Sequence, residues 1–245
     1  MEKHEHCQAA AGEISARLSN PERNMSSELW SSVDEYIEGV LGLADPVLQS
    51  AQQAAGEAGL PAIAVSAAQG RFLEIIARMI GARRILEIGT LGGYSTIWMA
   101  RALPAGGSIV TLEIDDKHAA VATSNFERAG FGDRIEVRVG SALDTLPRLY
   151  DEGAGPFDLT FIDADKPNIP AYFEWALKMS RPGAVIIVDN VIRDGAVIES
   201  ENPDESVKGV RRLNEMIAAN SGVRSTVLQT VGVKGYDGFA IVLVA

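Results

Sequence analysis

A chain of 245 residues can bury roughly 70–75% of its unfolded surface, so its core requires neither a disulfide nor a structural metal. Its one cysteine, Cys7, excludes an intramolecular disulfide, and no apolar run approaches the roughly 20 residues of a membrane-spanning helix. With 33 acidic against 22 basic residues the formal net charge is −11, which repels phosphate backbones and disfavours nucleic acid as a partner.

Residues 1–24 are polar and weakly patterned and read as a loosely ordered leader. They lack the basic start and apolar stretch of a secretory signal, which points to a cytoplasmic protein. The "HEHC" run (His4, His6, Cys7) could ligate a soft metal, although a frayed tail is the simpler account. Residues 25–245 read as a single domain, with N-terminal helices over 25–80 and the core over 81–245. The first helix is expected from Met25, with Ser26 or Ser27 as cap and Leu29, Trp30, Val33, Ile37, Val40 and Leu41 as its apolar face. Pro46 opens a second helix ending near Gly59, and a third runs from about Ala67 to Ile80.

After Gly81 the rhythm changes. "RRILEIG", "GSIVTLEI", "RIEVRVG", "FDLTFIDAD" and "GAVIIVDN" are short, β-branched runs separated by helix-length segments at Tyr94–Ala102, Lys117–Ala129, Ala142–Tyr150 and Ile169–Ser180. This alternation predicts βαβ units and a parallel sheet covered on both faces. Pro182-Gly183 reads as a turn before the fifth strand. A helix near Val207–Asn220 precedes two strands, "RSTVLQTV" and "GFAIVLVA", which should pair antiparallel across a short "GVKGYDG".

In such sheets ligands bind beyond the carboxyl ends of the strands, near the point where strand order reverses. Strand one closes in "LEIGTLGGYS", where Gly89, Gly92 and Gly93 let backbone approach a ligand and feed a helix at Tyr94-Ser95. Strand two ends in Glu113, placed to accept hydrogen bonds from ribose hydroxyls, and together these suggest a nucleoside cofactor. The dinucleotide pattern G-x-G-x-x-G fails because Leu91 stands at its second glycine, and Glu87 puts a negative charge where a pyrophosphate would sit. A carboxylate there suits a cationic ligand, while a tight turn packing helix on sheet explains each glycine taken singly. Strand four ends in Asp163 and strand five in Asp189-Asn190. Three oxygen-bearing side chains at neighbouring exits, without cysteine or histidine, fit Mg²⁺, Ca²⁺ or Mn²⁺ rather than zinc.

From about Val65 onward the chain resembles the metal-dependent class I S-adenosylmethionine O-methyltransferases of the caffeoyl-CoA and catechol type. The resemblance rests on "VSAAQG", "LEIGTLGGYS", "TLEID", "GSAL", "FIDADK" and "VDN", in the family's order, with "DADK" followed by "DN" the most specific part. It implies a Rossmann-like doubly wound seven-stranded α/β sheet, mostly parallel with an antiparallel C-terminal strand, plus N-terminal helices. It also implies S-adenosyl-L-methionine as cofactor, in contact with Val65, Glu87, Gly89, Gly93, Tyr94, Ser95, Glu113, Ile114, Ser141, Ala142 and Asp163. Of these, Glu87 and Gly89 would line the methionine part, Tyr94 and Ser95 would flank it, Glu113 would hold the ribose and Ala142 would touch the adenine. Asp163, Asp189 and Asn190 would ligate a divalent metal, Mg²⁺, and Lys166 falls on the family's proposed general base. A homodimer and a small hydroxylated, catechol-like or phenolic acceptor complete the implication.

The plant members follow "DN" with a tryptophan-containing segment, whereas here it reads "DNVIRDGAV", and the ring-clamping aromatics of catechol-type members are not recognisable. A hydroxylated tRNA base is the alternative acceptor, opposed by the acidic net charge. An NAD-dependent oxidoreductase is opposed by Leu91 and by the lack of a Tyr-x-x-x-Lys pair, and a non-catalytic binding module by the intact "DADK…DN" set. For Lys166 the competing role is a surface ion pair with Asp165, which is otherwise expected to shape the turn.

Overall fold

The computed structural model describes residues 21–43 and 45–245, so His4, His6, Cys7 and most of the expected leader lie outside the described residues. The first helix, α1, spans Pro21–Leu41. It starts four residues before the expected point: Pro21 has a φ already suited to a first helical turn, and Ser26 and Ser27 lie inside the helix instead of capping it. Helix α2 (Pro46–Glu57) is capped by Asp45, whose Oδ1 accepts from Val47 N at 2.9 Å and Leu48 N at 3.2 Å. Ser66 caps α3 (Ala67–Met79) by accepting from Gln69 N at 3.2 Å.

The core alternates strand and helix in chain order: β1 (Arg84–Ile88), α4 (Tyr94–Ala100), β2 (Ser108–Glu113), α5 (Asp116–Arg128), β3 (Ile135–Val139), α6 (Ala142–Asp151) and β4 (Phe157–Ile162). Then come a 3₁₀ turn (Lys166–Asn168), α7 (Ile169–Lys178), β5 (Ser180–Asp189), 3₁₀ turns over Arg193–Ile198, α8 (Glu205–Ala219), β6 (Val223–Gly232) and β7 (Gly235–Val244). These strands form one sheet of order β3-β2-β1-β4-β5-β7-β6. Pairs among β1 to β5 are parallel, and β7 runs antiparallel to both β5 and β6. The fold expected from the family pattern is the one observed.

Period-two alternation divides the core. Ile85, Leu159, Phe161 and Ile187 pack with Trp98, Ala122 and Phe126 of α4 and α5 on one face. Leu86, Ile88, Ile162 and Val188 pack with Leu146, Phe173 and Leu213 of α6, α7 and α8 on the other. Each fully buried side chain of this size contributes about 1.5–3 kcal/mol. Helix α1 departs from this pattern, since Leu29, Val33, Val40 and Leu41 of its expected apolar face are exposed.

Two turns differ from expectation. Pro182-Gly183 lies within β5: Phe157 pairs with Ser180 but Leu159 with Val185, so the residues between bulge, at a place where a proline without an N–H breaks no ladder bond. The "GVKGYDG" connection is mostly strand, because pairing continues to Gly232–Gly235 and only Val233 and Lys234 turn. Among the described residues no helix is long and apolar enough to cross a membrane.

Candidate active site

Strand order reverses between β1 and β4, and a cavity of about 660 Å³ opens there at the carboxyl ends of the strands. The two exits press together. Gly89 holds φ +100°, and a Cβ there would come within 2.1 Å of the Asp163 carbonyl oxygen, so only glycine fits.

Glu113, at the end of β2, organises one half of the cavity. Its Oε2 accepts from Leu91 N at 2.7 Å and Thr90 N at 3.2 Å, and its Oε1 from Ile114 N at 2.9 Å and Asp115 N at 3.0 Å. The carboxylate thereby ties the glycine turn to the β2 exit. Leu91 adopts φ +50° in this turn, a strained conformation for a residue with a side chain. Ile114, Ser141 and Ala142 line the same end, and Val65, Tyr94 and Ser95 line the wall.

Two expected cofactor contacts stand back from the cavity. Glu87 is fully buried, its carboxylate accepting from the hydroxyls of Ser95 (2.6 Å), Thr96 and Thr111 (2.6 Å). It is thus a layer behind Ser95. Burial pushes its carboxyl up to about 7, against the pull of the three hydroxyls. Gly93 begins α4 at φ +80° and faces Phe126, whose ring would lie 2.3 Å from an added Cβ. Its place in the structure is a packing contact.

At the other half, the β4–β5 register sets Ile162 beside Val188, so Asp163 and Asp189 leave adjacent strands side by side. Lys166 is buried, with Nζ 2.9 Å from Asp163 Oδ1. The expected competitor pair, Lys166 with Asp165, does not form. Asp165 instead accepts from the Tyr172 hydroxyl and from Asn168 Nδ2 at 2.7 Å, and the loss of water together with that carboxylate pushes the Tyr172 phenol up. Asp189 is buried and accepts from Gln69 Nε2 at 2.7 Å and Asn190 N at 2.8 Å. Burial, then the Asp163 charge, pushes its carboxyl up to about 6.

The donor set can be tested against a cation. Among the described residues no group of three or more histidine, cysteine or acidic side chains is placed to hold a metal ion. Two carboxylates and the Asn190 amide oxygen remain, an all-oxygen set that fits a hard divalent ion, and the mutual repulsion of Asp163 and Asp189 is what such an ion relieves. Gln69 stands in the "VSAAQG" motif, but its contact with Asp189, 120 positions further on, could not be found from the chain. Asp237, which accepts from Ile192 N at 2.9 Å and Arg193 N at 3.1 Å, was equally invisible.

Comparison with known proteins bears on this geometry. A family model described as O-methyltransferase matches residues 42–243. A catechol O-methyltransferase from Niastella koreensis is 54% identical over 220 residues, covering 90% of this chain and all of that protein. The crystal structure of an O-methyltransferase from Bacillus cereus in complex with SAH superposes with a TM-score of 0.88 at 56% identity, covering 89% of this chain and 99% of that one. An O-methyltransferase from Streptomyces achromogenes, involved in tomaymycin synthesis and solved with SAM, gives 0.87 at 53% identity, covering 89% and 98%.

Proposed function

Because this chain belongs to the O-methyltransferase family, we propose that it moves the methyl group of S-adenosylmethionine to one of two adjacent hydroxyls on a small catechol-like acceptor, with the aid of a divalent cation, Mg²⁺, that Asp163, Asp189 and Asn190 would hold. S-adenosylmethionine-dependent O-methyl transfer comes with family membership. The catechol acceptor is favoured by the name of the Niastella koreensis relative. The observation that carries the cation is the meeting of Asp163 and Asp189 at adjacent strand exits, with Asn190 next in the chain and Lys166 on Asp163.

In this reading Asp163, Asp189 and Asn190 hold the ion, and Gln69 fixes one oxygen of Asp189. The ion, when bound, supplies Lewis acidity to a phenol whose ordinary pKa is near 10. Lys166, placed by Asp163, is the group that receives the hydroxyl proton on Nζ. The phenolate oxygen then forms the new O–CH₃ bond as the CH₃–S bond of the sulfonium breaks, leaving a neutral thioether. Glu113 holds the ribose hydroxyls while its backbone partners keep the glycine turn in place. Most of the acceleration is positioning.

Labelled methyl donor offered with catechol, flavonoid, CoA-thioester and tRNA acceptors tests this directly. Label should enter catechols with Mg²⁺, fall about 100-fold or more with chelator, and return on adding Mg²⁺. Turnover indifferent to chelator would remove the cation, and label in tRNA alone would remove the catechol.

A further inference from the structure

The segment leaving β5 is held in an unfavourable shape. Asn190, Arg193 and Asp194, none of them glycine, have φ of 57°, 56° and 56°. β7 fixes the middle of this segment: Asp237 Oδ1 accepts from Ile192 N and Arg193 N as well as from Gly238 N at 2.9 Å, and Val191 N donates to Gly238 O at 2.9 Å. Strain that the surroundings enforce so thoroughly marks a place where side-chain direction matters. The side chain so directed is Arg193, which lines the main cavity together with Asn190 and Lys166.

Its donors are not used up within the protein. The Nε atom is buried and has no hydrogen-bond partner. The Asp237 carboxylate oxygen Oδ2 is 3.9 Å from Nη1, beyond hydrogen-bond reach, and the side chain is 33% exposed. The other basic groups on the cavity wall are engaged, Lys166 with Asp163 at 2.9 Å and His118 facing Glu113 at 3.6 Å. A planar fork with open donors matches a carboxylate better than any other small group. In a chain of net charge −11, such a local cation favours the entry of an anionic acceptor.

We propose that Arg193 binds a carboxylate carried by the acceptor, so that a catechol acid is preferred over a neutral or ammonium-bearing catechol. This rests on the catechol reading above. The test compares kcat/KM for 3,4-dihydroxybenzoate, its methyl ester and an ammonium-bearing catechol in the native enzyme, Arg193→Gln and Arg193→Glu. The native enzyme should favour the acid over the ester by about 10- to 100-fold, the scale of a charge-assisted hydrogen-bonded pair. Arg193→Gln should bring acid and ester within about threefold, through the KM of the acid, and Arg193→Glu should turn the preference toward the ammonium compound. Retained S-adenosylhomocysteine binding checks that each variant is folded, and the native acid-to-ester ratio stands even if a variant is not. Equal use of acid and ester by the native enzyme, or a preference that survives Arg193→Gln, overturns the assignment of Arg193 while leaving the catechol reading intact. Failure to methylate any catechol with cofactor bound overturns that reading and this one with it.

Discussion

A carboxylate shut away from water is costly, and Glu87 has only three hydroxyls in place of solvent. Its carboxyl, pushed up to about 7 from 4.5, makes folding pH-dependent. Because the folded value lies above the unfolded one, its contribution is fully present below 4.5 and is lost as pH rises through 7. Glu87→Gln stays neutral throughout, so the native protein should lose on the order of 1–3 kcal/mol relative to that variant between about pH 5.5 and 8. Urea unfolding of both proteins at the two pH values measures this, and a constant difference would mean that Glu87 keeps one protonation state. Lys166 is tested by Lys166→Ala, which should lower turnover about 10²- to 10⁴-fold while S-adenosylhomocysteine still binds. Near-normal turnover would leave it as the ion-pair partner of Asp163 alone. Gln69 acts at one remove, through Asp189. Gln69→Leu should weaken Mn²⁺ binding about 10- to 100-fold, as loss of a ligand's supporting hydrogen bond does, and water-proton relaxation of the Mn²⁺ complex reads this without turnover. Unchanged affinity would make Gln69 a packing residue.

The glycine turn and the helix it feeds form one element with two duties. Its backbone N–H groups at Thr90 and Leu91 lie on Glu113, while Gly93 lets α4 settle against Phe126 of α5. Gly93→Ala combines a left-handed φ with a ring 2.3 Å away, so it should cost more than about 2 kcal/mol in a thermal melt and weaken donor binding by displacing the turn. An unshifted melt would show that Phe126 moves aside. From the residues alone Gly93 was indistinguishable from Gly89, since a glycine pattern records close approach without naming the neighbour. The same limit separates the legible from the illegible elsewhere. Strands β1 to β5 and the helices between them were readable because strands buried on both faces appear as short continuous β-branched runs, separated here by segments of helix length. The Pro182-Gly183 bulge depends on how β5 pairs with β4, and the two-residue turn at Val233-Lys234 on how far β6 and β7 stay in register. The strand-exit carboxylates were equally readable, because topology alone brings them together. The three hydroxyls around Glu87, and Gln69 behind Asp189, come from separate elements and meet only once those elements are packed.

At the scale of the whole molecule, one side is poorly suited to water. Leu29, Val33, Tyr36 and Val40 of α1 are exposed, and so are Val227, Leu228 and Val231 of β6. The two surfaces are continuous, since Val233 N in the β6–β7 turn donates to Asp34 Oδ2 of α1 at 2.7 Å. β6 is also a ten-residue edge strand exposed along nearly its whole length, which isolated proteins avoid because its unpaired backbone groups template association. A second copy of the chain laid against α1 and β6 would bury both liabilities through a two-fold contact. The expected species in sedimentation equilibrium is therefore a dimer, twice the chain's 26.1 kDa. Like charges placed on both halves of the face, Tyr36→Glu with Val231→Glu, should shift it toward monomer, because the contact would bury carboxylates without partners and set them against their copies. The consequence reaches the cavity: Lys234 Nζ in the same turn donates to Ala62 O at 3.1 Å, beside the Ile63–Val65 segment that lines it. The monomeric variant should thus show a raised KM for the acceptor, and a native protein that sediments as monomer at tens of micromolar would end the argument for this face.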